Sequence, residues 1–193
     1  MVLTRDWEEI FQGKAREQLE AALPAYIQRR RWFGAKGRQI KSVHLKEAIL
    51  FPYGVEKAFL TVLLVDYVHG DPEEYLLPLA YVAGPEAAAL QQDYPQLMIA
   101  RVRLQATEAE GVLHDAIGSK PFCAALLEAM ARRRDFGGRE GELRAACAPA
   151  LRGLRGEPSK PLEPAVGKAE QSNTSVIYGD KLILKFFRRL ENG

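Results

Sequence analysis

Residues 170–189 read EQSNTSVIYGDKLILKFFRR. β-Branched, aromatic and apolar residues fill 176–178 and 182–187, and Gly179-Asp180 lies between them, which is the pattern of a β-hairpin. Glycine at the first central position suits a type II′ turn. A two-residue turn of this kind predicts that Thr174 faces Lys185 across the hairpin.

One face of this predicted hairpin is polar. Alternation along the strands places Ser172, Thr174 and Lys185 on the same side. An ammonium group beside hydroxyls, next to a polar loop with free amides, is a suitable cradle for phosphate oxygens. The amides supply fixed partial positive charge and the lysine supplies a mobile one. The alternative interpretation is an ordinary surface turn over 171–175 with a solvated lysine at its edge.

Two segments here carry a family resemblance: Gln171-Ser172-Asn173-Thr174-Ser175, and 183–189 with the sequence ILKFFRR. They resemble the start of the kinase N-lobe in bacterial maltokinases, eukaryotic-kinase-like sugar kinases that are often fused to trehalose synthase. The family has a polar Ser-Asn-Thr-Ser-type turn where protein kinases have a glycine-rich loop. The resemblance implies phosphate transfer from ATP, with Mg²⁺, to the anomeric hydroxyl of maltose. The residues it assigns to the nucleotide are Ser172, Asn173, Thr174, Ser175 and Lys185, with Lys185 contacting the α/β-phosphates.

Composition and charge bound the class of protein. With 193 residues, 47% of them apolar, the chain is long enough for one large or two small domains with a true core. A formal charge of +2 is too balanced to predict a nucleic-acid or membrane partner. The longest apolar run, 58–68, is about half a membrane span and contains Asp66, and charges interrupt the N-terminus, so we expect a cytoplasmic protein.

Cysteine usage also indicates a cytoplasmic protein, and histidine usage indicates no metal site. Cys123 and Cys147 lie in segments that look helical, and neither has metal-ligand spacing, so we expect reduced, packed thiols. His44, His69 and His114 are scattered, with no cysteine, histidine or carboxylate at metal-ligand spacing, and we predict no metal site within this chain.

The first half of the chain predicts helices packed on a sheet. Trp7, Ile10 and Phe11 have helical spacing, and a stripe from Leu19 to Ile27 continues past Pro24, where a second helical segment is predicted to start. Period-two patterns then predict four strands, over 43–51, 58–68, 74–82 and 97–104, separated by turn residues. These elements predict an α+β fold with N-terminal helices covering an antiparallel sheet. The resemblance implies that this cap is cystatin-like.

Residues 28–38 read QRRRWFGAKGR and allow two interpretations. Arginines interleaved with aromatics suit binding of phosphate or nucleic acid. In the other interpretation the segment is a connector, with Trp32 and Phe33 in the core and solvated arginines. The near-neutral chain favours the connector. The resemblance also supports it, because an Arg-Trp-Phe-Gly-x-Lys run is typical of the maltokinase cap.

The second half is less regular. Apolar spacing from Pro121 to Met130, followed by three arginines, predicts an amphipathic helix. An alanine-rich segment, 140–148, is predicted to be helical and to stop at Pro149. Prolines and glycines over 153–164 predict a linker, and 165–170 is a candidate first strand of the N-lobe.

The resemblance divides the chain into a cap domain, 1–105, and an intermediate region with an incomplete N-lobe, 106–193. In the family, the catalytic aspartate and the magnesium ligands lie in a part of the kinase that follows the position of Gly193. We therefore expect no catalytic or metal-binding residue within residues 1–193, and we interpret the chain as the N-terminal part of a kinase. One alternative is a stand-alone cap module that binds a partner such as a trehalose synthase domain. Another is a kinase for a different sugar or an aminoglycoside-like acceptor.

Overall fold

The structure, a computed structural model, describes residues 1–155, 162–167 and 173–191. The α-helices are α1 Gly13–Gln28, α2 Gly84–Asp93, α3 Lys120–Arg132 and α4 Pro149–Arg155. Of the helices in these ranges, none is long and apolar enough to span a membrane. The strands are β1 Val2–Leu3, β2 Ile40–Tyr53, β3 Glu56–Tyr67, β4 Glu73–Ala83, β5 Met98–Leu104, β6 Ala109–Asp115, β7 Asp135–Gly137, β8 Glu142–Arg144, β9 Pro164–Val166, β10 Asn173–Tyr178, β11 Leu182–Phe187 and β12 Arg189–Leu190.

The main sheet has the strand order β1-β5-β6-β4-β3-β2, and β12 pairs with the beginning of β4. All of its pairs are antiparallel except β1 with β5. The predicted α+β class and the four predicted strands, β2 to β5, are confirmed. Strand β6, which lies between β5 and β4, was not predicted. Cystatin-like architecture stays a prediction.

Helix α1 covers one face of this sheet as a single helix, so the predicted break at Pro24 is wrong. Leu19, Leu23 and Ile27 lie on both sides of the proline, and all three are fully buried in the same core. Packing of this stripe against the sheet holds the helix continuous through Pro24. Before it, Trp7–Phe11 forms a 3₁₀ helix whose first turn is capped by the carboxylate of Asp6.

Helix α3 confirms the predicted amphipathic helix. Ser119 caps it, Pro121 lies in its first turn, and Arg133 ends it in the left-handed conformation. The helix predicted over 140–148 is wrong. Residues 142–144 instead form β8, which pairs with β7.

Long-range contacts decide the conformation of this region. The carboxylate of Glu47 accepts hydrogen bonds from the backbone N–H groups of Glu140 and Gly141, at 2.7 and 3.2 Å, and fixes the turn between β7 and β8. Pro149 begins helix α4 and does not end a preceding one, as expected of a residue that has no N–H to donate. Of the predicted linker, 156–161 lies outside the described residues, as does 168–170 of the candidate strand. Residues 165–166 of that candidate lie in β9.

Two hydrophobic clusters fill the molecule. The first packs α1 and the Trp32-Phe33 pair on the main sheet. The second packs α3 against the ends of β2 and β3, and includes Val176, Tyr178 and Phe186 from the β10–β11 hairpin. The hairpin therefore shares a core with the elements that precede it.

Candidate functional site

The β10–β11 hairpin is formed as predicted, but its register differs by one residue. Ser175 pairs with Lys185, and Thr174 pairs with Phe186. The predicted pairing of Thr174 with Lys185 is wrong because the connecting loop holds one residue more than expected. Gly179 takes a positive φ of 57°, and the Lys181 N–H donates to the Tyr178 carbonyl at 3.3 Å, but pairing begins only at Leu182. A slip of one residue exchanges the faces of a strand.

Lys185 and Ser175 lie side by side on the outer face of the hairpin. The Lys185 Nζ donates to the Ser175 Oγ at 2.7 Å. The Ser175 carbonyl accepts from the Gly167 N–H at 2.8 Å, so its backbone groups point towards β9. With respect to β11, Ser175 is therefore in a non-hydrogen-bonded pair, the type in which facing side chains are closest.

Apolar side chains surround this polar pair. Ile177, Ile183 and Phe187 lie on the same face as Lys185, and Ile183 and Phe187 are 62% and 63% exposed. Asn173 completes the face opposite Phe187. The outer face thus presents one cation and one hydroxyl within an exposed apolar surface.

The inner face of the hairpin is buried. Thr174 has no exposed surface, and its hydroxyl accepts from the Nε and Nη2 of Arg188, both at 3.2 Å. Its side chain is therefore separated from Lys185 by the sheet. Ser172, another predicted site residue, lies outside the described residues. The structure brings together Ser175 and Lys185 with Asn173 nearby, and their role in holding a nucleotide stays a prediction.

Arg188 links the hairpin to the main sheet. Its side chain is 0% exposed and makes an ion pair of 2.8 Å with Asp115, itself 1% exposed. The guanidinium lies over the rings of Trp32 and Phe186, with centroid distances of 5.1 and 4.9 Å. Asp115 also accepts from the Ile117 N–H at 3.1 Å. The pair joins positions 73 residues apart in the sequence.

Strand β12 continues this link. Arg189 pairs with Tyr75 in β4, and the Leu76 N–H donates to the Arg188 carbonyl at 2.6 Å. The Arg189 guanidinium also lies 3.4 Å from the carboxylate of Glu73. Burial opposes ionisation of Glu73, but the hydroxyls of Tyr75 and Tyr67 and the nearby arginines outweigh it and lower its pKa. The backbone that follows Lys185 is thus built into the main sheet.

His114 and Cys123 lie beneath the hairpin, and burial disfavours the charged form of each. Burial lowers the pKa of His114, whose Nδ1 lies 3.1 Å from the Asp115 carbonyl. Burial also raises the pKa of the Cys123 thiol to about 12. Its Sγ donates to the Ile117 carbonyl, and Tyr178 donates its hydroxyl to the Cys123 carbonyl at 2.7 Å. Both cysteines of the chain are free thiols, and Cys123 is packed as a structural group rather than a nucleophile.

Comparison with known families identifies the first part of the chain. Residues 26–118 match the family described as the maltokinase N-terminal cap domain. The chain carries a maltokinase N-terminal cap domain. The matched range runs from the end of α1 through β6 and includes Trp32, Phe33 and Asp115. The chain is therefore related to the maltokinases, and Arg188 anchors the hairpin to a residue of the cap. The domain division at residue 105 stays a prediction.

Proposed function

We propose that this chain is the N-terminal part of an ATP-dependent sugar kinase that phosphorylates maltose to maltose 1-phosphate. The observation that carries the proposal is the contact of Lys185 with Ser175 on the exposed face of a hairpin that the Arg188–Asp115 ion pair joins to a maltokinase cap. The match to the cap domain supports a relationship to the maltokinases, and the polar pair on the hairpin supports nucleotide binding. The free state of the cysteines supports the cytoplasm as its location.

The Lys185 ammonium suits the nucleotide phosphates. It has three N–H donors, and one of them is directed at Ser175. The other donors remain for phosphate oxygens, and the Ser175 hydroxyl can donate to a further oxygen. ATP supplies the phosphoryl group, while this chain holds the phosphates and neutralises part of their charge.

The apolar surroundings of Lys185 suit the rest of a nucleotide. Small-molecule sites combine apolar side chains with a few polar groups that fix orientation. Ile177, Ile183 and Phe187 provide such a surface beside the polar pair. We assign the catalytic aspartate and the Mg²⁺ ligands to a following lobe of the complete kinase, as the family resemblance implies.

Turnover of maltose by the complete protein tests this proposal. Lys185→Ala should lower kcat/KM by about 100-fold or more, because it removes a charge that stabilises the transferring phosphates. Since Lys185 is exposed, the thermal midpoint should hardly change. Lys181→Ala, which removes an exposed lysine from the hairpin loop, is the matched control and should retain full activity. Unchanged turnover in Lys185→Ala would overturn the assignment.

A second candidate function is favoured by the exposed apolar residues of the same face. Exposed apolar patches often mark protein interfaces, and Ile183 and Phe187 are consistent with docking of a partner such as a trehalose synthase domain. Sedimentation of the chain with trehalose synthase separates the two candidates. Association that is lost in Ile183→Asp, without nucleotide binding, would favour the binding module.

Comparing turnover of maltose with that of other sugars and aminoglycosides identifies the acceptor of the kinase.

A further inference from the structure

A second surface feature lies apart from the hairpin face. A cleft of about 380 Å³ is formed where the end of α1, the turn before β5, the start of α3 and the end of β9 meet. Arg29, Arg30 and Arg31 line it together with Lys120, and no carboxylate is among its lining residues. Its volume is within the range of small-molecule sites.

The positive charge of this cleft is largely uncompensated. Arg29 and Arg31 are exposed, and neither makes an ion pair with any residue that the structure describes. Lys120 lies 3.7 Å from Glu163, but both side chains are mostly exposed. Exposed pairs of this kind contribute little free energy and are readily exchanged for another anion.

Arg30 is held in place within the same wall. Its guanidinium lies 4.8 Å from the centroid of the Tyr26 ring, and its Nη1 donates to the Gln96 carbonyl. Its Nε is buried and has no acceptor among the described residues. The ring contact and the hydrogen bond fix the position of the Arg30 guanidinium in the wall of the cleft.

The neighbouring aromatics explain how the arginines are presented. Trp32 and Phe33 are buried, and their rings lie 5.9 and 5.4 Å from that of Tyr75. The connector interpretation of residues 28–38 is therefore correct for the aromatics. Since neither ring is available for stacking on bases, the segment lacks a main contact of single-stranded nucleic-acid sites. The arginines that precede these anchors remain on the outside.

We propose that this cleft binds a small phosphorylated molecule with two or more negative charges. Arg29, Arg31 and Lys120 contact its phosphate oxygens, and Arg30 forms a fixed wall. The site is separate from the Lys185 face and does not depend on the proposed kinase activity. An occupant would touch Gly167, whose N–H donates to Ser175 in the hairpin.

Calorimetric titration with tripolyphosphate tests the site. The protein titrated is the full chain with Lys185→Ala, so that the cation of the hairpin face does not contribute to the measured binding. We expect saturable binding, weakened at least about tenfold by Arg29→Gln with Arg31→Gln, because charge-assisted hydrogen bonds are lost. The matched control is Arg101→Gln with Arg103→Gln, the same loss of charge from exposed positions of β5, which should leave the affinity unchanged. Adding ATP in a second arm shows whether phosphate alone is recognised or a nucleoside also contributes.

Three outcomes would overturn the proposal. The first is that neither tripolyphosphate nor ATP binds when the titration is carried out at physiological ionic strength. The second is an equal loss in both arginine pairs, which would indicate attraction to overall charge. The third is tighter binding of a single-stranded RNA probe than of tripolyphosphate. Thermal midpoints of the variants, expected to match that of the parent, show that they are folded.

Discussion

Arg188 is a fully buried cation that lies three residues after the exposed Lys185. Taking a guanidinium out of water is unfavourable unless an anion and hydrogen-bond acceptors surround it. Asp115 and Thr174 supply these, and Trp32 and Phe186 cover the flat faces of the group. This ion pair therefore helps to hold the following strand against the cap.

Removing one partner of this pair should be costly. Arg188→Met leaves the carboxylate of Asp115 buried without its cation, and we expect the free energy of unfolding to fall by about 3–5 kcal/mol. Urea denaturation measures the change. Adding Asp115→Asn to that variant should restore part of the loss, because the uncompensated charge is then gone. A loss of under about 1 kcal/mol in the single variant, or strictly additive losses, would contradict this account.

The sequence predicted some residues of the hairpin site but not the buried ion pair beneath it. Lys185 and Ser175 were candidates because they lie in the motif that resembles the maltokinase N-lobe, and their role in holding a nucleotide stays a prediction. Arg188 was noted only as part of the motif, since arginine is usually exposed and nothing local marks it as buried. Its partner, Asp115, is distant in the sequence. Only the fold brings the two together.

At the scale of elements, the hairpin register makes a direct prediction. Ser175→Cys with Lys185→Cys should form a disulfide on mild oxidation, because a non-hydrogen-bonded pair has facing side chains at suitable distance. Thr174→Cys with Lys185→Cys should not, since those side chains lie on opposite faces. Both variants should be made with Cys147→Ser to remove the more accessible native thiol. Mass spectrometry after thiol labelling distinguishes them, and crosslinking of the Thr174 pair instead would contradict the register.

Strands were predictable where one face of the sheet is exposed. Burial alternates along most of β2, which gives a period of two in the sequence. Strand β6 is buried on both faces from Gly111 to Asp115, so its sequence has no such period and it was missed. The alanines of 140–148 favour a helix locally, but hydrogen bonds from Glu47, about 90 residues earlier, select a turn and a strand. Such contacts cannot be predicted from a local pattern.

At the scale of the whole molecule, the cap and the hairpin form one packed body. The second hydrophobic cluster, the Arg188–Asp115 pair and the addition of β12 to β4 all join them. We infer that the cap holds the strand of Lys185 in a fixed position. A ligand bound at the hairpin should then stabilise the entire body against unfolding.

Calorimetric titration of the complete protein with Mg-ATP tests whether Lys185 and Ser175 hold nucleotide phosphates. Three proteins should be compared: the parent, Lys185→Ala and the loop control Lys181→Ala. We predict that the parent and the loop control bind Mg-ATP equally well and that Lys185→Ala weakens binding by about tenfold or more, since hydrogen bonds to a charged group are lost. Equal affinity in all three proteins, or no binding by the parent, would show that Lys185 does not hold the nucleotide phosphates.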